Sequence, residues 1–431
     1  MIINLDDVSF GDLGYSKYPK LVKIRQHFQE PQITDIVEAI KKQLARQDIA
    51  GRIISGSNIA VLVGSRGIYQ IDAIVGTVIN ELKARGANPF IVPAMASHGG
   101  ATDRGQRELL ESYGIKEDSM GAEIRSDMIP EYIGDTPSGV KIYFDKNALH
   151  ADGVIPINRI KCHTAFRGKT ESGLIKMLAI GAGKQRGAES LHSHGADTFP
   201  TLLPEAFEVI RSKANVLFGI GIVENASEHT AIIEAIPTEQ FKKREEELLK
   251  LANLYMPRIM IDHFDGLIVG KTGKNFSGDG MDPNIMGRYA VPNMSGDAEY
   301  QRMALLDVSQ ESHGNAVGIG LADVIPQSLL SKANLGYMYT NAFTSKMVIP
   351  LVKIPIIAKD DRDAIGVMLR TCVRVEYGNE RVVAIRDTLH IKEIWISESL
   401  MDQVKDNNAF EILEEPKPMV FDATGRLTLF D

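Results

Sequence analysis

The chain has 431 residues, and this length favours two or three domains. Hydrophobic residues make up 44% of the chain, charged residues make up 24%, and the formal net charge is −8, which is typical of a globular protein and argues against a nucleic-acid binder. With two cysteines, Cys162 and Cys372, a disulfide scaffold and a four-cysteine metal site are excluded. We see no apolar run of about 18 residues and no signal-peptide pattern, so we expect a cytoplasmic protein without membrane partners.

Strand and helix patterns alternate along the first part of the chain. The predicted elements are, in chain order, a strand at 58–64, a helix from Gln70, a strand at 87–95, a helix at 104–114, two strands within 139–160 and an apolar helix at 174–181. Such alternation is typical of an α/β domain with a largely parallel sheet, where ligands bind at the carboxyl ends of the strands.

A charged amphipathic helix that ends at Pro257 indicates a connection between two domains. The predicted elements beyond it are a strand at 265–270, a glycine-rich segment at 271–284, and strands at 316–321, 348–357 and 390–397. We therefore predict an α/β fold of two Rossmann-like domains, 1–255 and 256–431. The last residues are candidates to pack back on the N-terminal domain.

Three histidines lie in loops that are expected to face a ligand. His98 and His163 follow predicted strands, and His192 follows the apolar helix. One loop histidine is more often a surface residue, but three of them in consecutive units are candidates for proton transfer near pH 7 or for binding a metal.

Arg66 and Lys176 are charged residues in places that suggest a ligand. Arg66 follows a buried strand and precedes a helix, so its guanidinium and the first helix amides form a candidate anion site; pairing with a nearby acid or carbonyl is the alternative. Lys176 lies in an apolar helix, where it is either a nucleophile of lowered pKa or a lysine whose amine reaches solvent.

The glycine-rich segment 271–284 contains Lys274 and Asn275 as candidate polar contacts to a ligand. It lacks the phosphate-loop pattern GxxxxGK[ST], and G-x-G-x-x-G does not follow the first strand. HExxH and GxSxG are also missing from the chain. These absences disfavour a conventional NAD enzyme, a zincin and an α/β-hydrolase.

Several segments, taken together and in order, resemble the nickel-dependent lactate racemase family of 2-hydroxyacid racemases and epimerases. They are VGSRG (63–67), PAMASHGGAT (93–102), NRIKCHTAFRGKTESGLIKMLAIGAGKQRGAESLH (158–192), IVENASEHTA (222–231) and GKNFSGDGMDPN (273–284). The resemblance implies two α/β domains with the active site in the cleft between them. It also implies an isomerase that racemises or epimerises a 2-hydroxyacid, sugar acids included. It also implies the family's cofactor, a nickel-pincer nucleotide (nickel pyridinium-3,5-bisthiocarboxylic acid mononucleotide), and proton-coupled hydride transfer to it.

The resemblance assigns roles to individual residues. It implies His98 and His163 as the catalytic pair, His192 as the nickel ligand and Lys176 as the residue to which the cofactor attaches. The stretch between His163 and Lys176 is longer than in the lactate enzyme, so covalent attachment stays open. The remaining implied contacts are Arg66, Ser172 and Gly173 for the cofactor, and Arg66, Lys274 and Asn275 for the substrate.

Two other functions stay open from the sequence. The three histidines could instead bind zinc in a hydrolase or lyase. The chain could also be a non-catalytic protein that binds a sugar acid. Metal analysis with an absorption spectrum separates the nickel-pincer hypothesis from the zinc hypothesis, because a nickel-pincer nucleotide is coloured and zinc is not. The substrate is expected to be a small molecule, and its identity and the oligomeric state are not indicated.

Overall fold

The computed structural model describes residues 18–65, 67–292, 294–345 and 349–431. Two compact units form in this part of the chain. Gln29–Met256 make up the central unit, and Pro257–Asp431 together with residues 18–28 make up the terminal unit. Both are mixed α/β structures, as the alternating pattern predicts.

The strands are listed here in chain order: β1 (Leu21–Gln26), β2 (Asn58–Val63), β3 (Asn88–Pro93), β4 (Glu131–Asp135), β5 (Lys141–Phe144), β6 (Gly153–Arg159), β7 (Phe218–Glu224), β8 (Thr230–Pro237), β9 (Gly266–Thr272), β10 (Arg302–Val308), β11 (Val324–Pro326), β12 (Ile356–Ala358), β13 (Val382–Ile385), β14 (Glu393–Ser397) and β15 (Phe410–Ile412).

The α-helices are, in the same order, α1 (Ile36–Leu44), α2 (Gln47–Ala50), α3 (Ile71–Ala84), α4 (Asp103–Ser112), α5 (Glu117–Met120), α6 (Lys146–Leu149), α7 (Leu174–Lys176), α8 (Lys184–His192), α9 (Phe199–Lys213), α10 (Phe241–Tyr255), α11 (Pro283–Met286), α12 (Gln327–Lys332), α13 (Leu335–Ser345), α14 (Asp361–Arg370) and α15 (Met401–Val404). Within the described ranges, no helix is long and apolar enough to cross a membrane.

The sheet of the central unit has the strand order β3-β2-β6-β7-β8. The first four strands are parallel, and β8 returns antiparallel to β7. Strand β2 is buried along nearly its whole length because Ile59, Val61 and Val63 pack in one apolar cluster while Ala60 and Leu62 are enclosed on the other face. A sheet covered on both faces explains why its strands read as continuous apolar runs.

The sheet of the terminal unit has the order β12-β11-β10-β9-β13-β14-β1-β15. Strands β12 to β13 in this order are parallel, whereas β14, β1 and β15 pair antiparallel. Leu267 and Val269 pack in one apolar cluster and Ile268 packs in another, so both faces of this sheet are covered as well.

The domain boundaries differ from those predicted at 1–255 and 256–431. Strand β1 lies in the terminal unit, because it is hydrogen-bonded between β14 and β15. The last residues also pack within the terminal unit: Lys417 pairs with Leu21, and the Phe430 ring lies 5.3 Å from Trp395. Both chain ends belong to the terminal unit because they pair with strands that are distant in the sequence. Local sequence patterns do not show such pairing.

Two further sequence-based predictions are wrong in detail. The segment 316–321 is not a strand, because Gly318 has a φ of +99° and the chain there forms a short 3₁₀ turn at Ile319–Leu321. A single strand is predicted at 348–357. The described part of this segment instead begins with a 3₁₀ turn at Ile349–Val352 and ends with the first residues of β12.

Candidate active site

The candidate site lies at the carboxyl edge of the central sheet. Strands β2 and β6 are neighbours in the sheet. The chain leaves β2 toward β3 on one side and leaves β6 toward β7 on the other side, so the loops after β2 and β6 diverge. Ligands in open α/β sheets bind at such a point. Arg66, in the loop after β2, lies outside the described residues. The loop after β6 carries His163.

The His163 loop is closed on itself at its base. Lys161 and Ser172 pair through their backbone N–H and C=O groups. Within the loop, the buried carboxylate of Glu171 accepts the backbone N–H of His163 at 2.6 Å and that of Gly168 at 3.2 Å. Burial raises the pKa of Glu171. These contacts accommodate the long stretch between His163 and Lys176 in a defined loop.

The imidazole of His163 is held in one tautomer. Its Nδ1 accepts the backbone N–H of Ala165 at 3.0 Å, so the neutral ring has its proton on Nε2. The ring also packs on Phe166, with the centroids 4.4 Å apart. Burial, and then the positive charge of Lys176, hold the pKa of His163 well below its ordinary value. His163 is therefore a neutral hydrogen-bond donor at pH 7.

The segment from Lys176 to His192 is a broken helix. Helix α7 ends at Lys176, a π-helical turn covers Met177–Gly181, and α8 ends at His192. π-Helical turns are rare in proteins, and those that occur often lie at functional sites. The sequence predicts one apolar helix over 174–181, which matches the helical character but not the π-helical geometry.

The hydrogen bonding of His192 leaves one of its ring nitrogens as an acceptor. Its Nδ1 lies 2.6 Å from the carbonyl oxygen of Ala188 and donates to it, so Nε2 presents a lone pair. Burial lowers the pKa of His192, and the charge of Lys176 lowers it further, which outweighs the opposing effect of the Ala188 carbonyl. A half-buried imidazole that stays neutral at pH 7 can bind a metal through Nε2.

The structure brings together three of the predicted site residues: His163, Lys176 and His192. Lys176 lies near enough to each histidine for its charge to lower both pKa values. Between the histidines, Phe166 and Phe199 pack edge to face with centroids 5.3 Å apart, and Phe199 lies 5.3 Å from His192. These buried phenylalanines desolvate the imidazoles. Sequence analysis missed them, since their apolar character is that of any core residue.

His98 lies on a neighbouring loop after β3 and is exposed. The backbone of its loop is hydrogen-bonded to the π-helical turn that follows Lys176: the N–H of Ala96 donates to the carbonyl of Gly181 at 3.1 Å. A side chain at Gly181 would collide with Ala94, which explains the glycine at this close approach. The His98 loop is thus in direct contact with the segment between Lys176 and His192.

The turn at Ser172 and Gly173 has a structural partner. The carboxylate of Glu245, from α10, accepts the N–H groups of Leu174 and Ile175 at the start of α7. A Cβ on Gly173 would lie 2.8 Å from Oε1 of Glu245, so a side chain here would push the carboxylate away from the amides it accepts. These helix amides are occupied by a protein carboxylate, which leaves them unable to bind a cofactor phosphate in this conformation.

Glu245 makes the stability of the chain depend on pH. Burial raises the pKa of Glu245 from 4.5 to about 7. Between these values the unfolded chain releases a proton that the folded chain keeps, so stability falls as pH rises. We expect Glu245→Gln, which keeps an acceptor oxygen, to remove this fall of about 3 kcal/mol. Urea unfolding from pH 4.5 to 8 measures it.

The matched control for this prediction is Glu246→Gln, one position further along α10 on a partly exposed side chain. It should leave the pH dependence of unfolding as in the unchanged chain. An equal pH slope in Glu245→Gln and the unchanged chain would refute the prediction.

Lys274 and Asn275 lie at the carboxyl end of β9 in the terminal unit. The ammonium of Lys274 donates to the carbonyl of Gly278 at 2.5 Å. The side-chain oxygen of Asn275 accepts from the hydroxyls of Ser309, at 2.6 Å, and Ser312, at 3.3 Å. Both side chains therefore make hydrogen bonds within their own loop or to the segment that follows β10.

No three His, Cys, Asp or Glu side chains in the described part of the chain are grouped so as to hold a metal ion. In this conformation His98, His163 and His192 do not form the ligand set that the zinc hypothesis requires. A single protein ligand such as His192 suffices where other donors come from a cofactor.

Comparisons with known proteins support the fold. No family model and no curated protein matches the chain. The solved lactate racemase apoprotein from Thermoanaerobacterium thermosaccharolyticum is similar, with a TM-score of 0.51 and 13% sequence identity over 86% of this chain and 98% of that chain. The chain therefore has a two-domain α/β fold like that of a lactate racemase. At this identity the likeness concerns the fold alone.

Proposed function

We propose that the protein is a racemase or epimerase of a 2-hydroxyacid that uses a nickel-pincer nucleotide. The observation that carries the proposal is the gathering of His163, Lys176 and His192, with the His98 loop bonded to the same helical segment, in a fold like that of a lactate racemase. These are the residues to which the sequence resemblance assigns the chemistry.

The described residues fit the proposed cofactor. His192 has Nε2 available as one nickel ligand, and Lys176 lies near it as the residue for attachment or for charge pairing. When bound, the nickel-pincer nucleotide supplies an acceptor and donor for the hydride of the substrate. The buried rings of Phe166 and Phe199 make the surroundings of His192 apolar.

The two remaining histidines move the hydroxyl proton. Interconverting two enantiomers requires one proton acceptor for each orientation of the hydroxyl, and we assign these roles to His98 and His163. His163 presents its Nε2 proton as a donor while Ala165 occupies Nδ1. To accept a proton at Nε2, the ring must first give up the proton it holds there and carry its proton on Nδ1 instead, which breaks the hydrogen bond from the Ala165 N–H. Arg66, Lys274 and Asn275 are the proposed contacts to the substrate carboxylate.

The function is tested by incubating the cofactor-loaded protein with single enantiomers of lactate and of sugar acids. Chiral chromatography should detect conversion toward a mixture from either enantiomer of at least one acid. Elimination or hydrolysis products without inversion would favour the lyase or hydrolase alternative. Binding of a sugar acid without turnover would favour the non-catalytic alternative.

Protein made in a host without the nickel-pincer pathway should be folded but inactive. The apolar clusters of both units form without any metal ligand, so the fold does not depend on the cofactor. Circular dichroism and a cooperative thermal transition check the fold. A chain that is unfolded until nickel cofactor is supplied would contradict this prediction.

A further inference from the structure

A buried polar cluster lies beneath the His98 loop, and the proposed chemistry does not use it. Lys184, Gln106 and Asp145 are completely buried. The ammonium of Lys184 lies 3.1 Å from Oδ2 of Asp145, donates to the carbonyl of Pro93 at the end of β3, and lies 3.3 Å from Oε1 of Gln106. Enclosing a charged pair is costly, and an apolar core would be as stable or more stable, so the cluster suggests a specific role.

The amide of Gln106 has a fixed orientation. An ammonium can donate only, so the side-chain oxygen of Gln106 must face Lys184, and the amide nitrogen must face the other way. That nitrogen donates to the carbonyl of Ala96 at 2.9 Å and lies 3.3 Å from the carbonyl of His98. Lys184 begins the helix that ends at His192. The cluster therefore connects the backbone of His98 to the His192 helix.

The His98 loop has a backbone that needs such support. Ala96 and Ala101 have φ values of 51° and 54°, and Gly99 and Gly100 between them are also in the left-handed region. Left-handed backbone at a non-glycine residue is unfavourable and persists where surrounding contacts impose it. The hydrogen bonds from Gln106 are among the contacts that can impose it.

We propose that Gln106 is a positioning residue for His98: together with Lys184 it holds the His98 loop at the helical segment between Lys176 and His192. This inference rests on the proposed function, in which His98 is a catalytic residue. Gln106 does not need to touch the substrate, so its loss should lower kcat and leave KM unchanged. A misplacement of a catalytic group by about 1 Å can cost about 10²-fold in rate.

The test uses the full chain with Gln106→Glu and Gln106→Leu. The glutamate is the same size and offers an acceptor oxygen to Lys184, but its ionised carboxylate cannot donate to the carbonyls of Ala96 and His98. The leucine has no donor in any protonation state, so both variants should give the same result at His98. We expect the amides of residues 96–101 to exchange with deuterium at least about tenfold faster. The imidazole resonance of His98 should shift and that of His163 should not, and kcat should fall about 10²-fold.

Gln185→Leu, at an exposed position next to Lys184 on α8, is the matched control and should change none of these readouts. If Gln106→Glu leaves the exchange of residues 96–101 and the His98 resonance unchanged, the positioning role is refuted while the proposed function stands. A fall in thermal stability without a change at His98 would also refute it. The exchange and resonance measurements need no turnover, so an inactive unchanged chain would refute the proposed function separately.

Discussion

His98→Ala and His163→Ala are each expected to abolish interconversion in both directions. In the proposed mechanism every turnover uses one histidine as proton acceptor and the other as donor, and loss of general acid–base help costs about 10²–10⁴-fold. Each variant should still react once with the enantiomer whose hydroxyl faces the remaining histidine. When each variant is mixed with one enantiomer at a time, the absorption of the cofactor should change with one enantiomer in His98→Ala and with the opposite enantiomer in His163→Ala.

His150→Ala is the matched control, because His150 is an exposed histidine of the central unit that pairs with Glu131. It should keep full activity. A response of both site variants to the same enantiomer would contradict the assignment of His98 and His163 to opposite faces of the substrate. Full racemase activity in either variant would contradict its catalytic role.

His192→Ala is expected to lose nickel with little loss of fold. The imidazole contacts Phe199 at its edge and the carbonyl of Ala188, so its removal costs few packing contacts. Its Nε2 is the proposed protein ligand to nickel, and no group of three His, Cys, Asp or Glu side chains in the described ranges is arranged to hold a metal ion in its place. Metal analysis after gel filtration measures retention, and thermal unfolding measures the fold.

The neighbouring His194 provides a matched control for this variant. It is exposed, and its Nδ1 lies 3.0 Å from the carbonyl of Ser190, which copies the backbone contact of His192 without the burial. His194→Ala should retain nickel as the unchanged chain does. Normal nickel content in His192→Ala would exclude it as the ligand.

Much of the central unit can be predicted from local sequence patterns. A continuous apolar run predicts strand β2, and apolar residues at helical spacing predict helix α3. The sequence is less informative where glycines interrupt the apolar pattern: Gly219 and Gly221 lie in buried strand β7, packed against Phe241 and Ile236.

The site is predictable in its chemistry and not in its supports. His163 and His192 are candidates from the sequence because they lie in loops after predicted elements, and Lys176 because a lysine is unusual in an apolar helix. Glu245 reaches the start of α7 from about 70 residues further along the chain, and Gln106 meets Lys184 across a similar separation. A single sequence contains no signal for such contacts, since each partner alone reads as an ordinary helix residue.

The central claim, that this chain holds a nickel-pincer nucleotide, is tested most directly by native and denaturing intact-mass spectrometry with metal analysis. The protein would be co-produced with the enzymes that make the cofactor. We predict nickel bound to the native protein, the mass of the nucleotide added to the chain and a visible absorption band; mass retained after denaturation would assign covalent attachment. Turnover of a 2-hydroxyacid by protein that contains zinc, or that has neither nickel nor added mass, would contradict the claim.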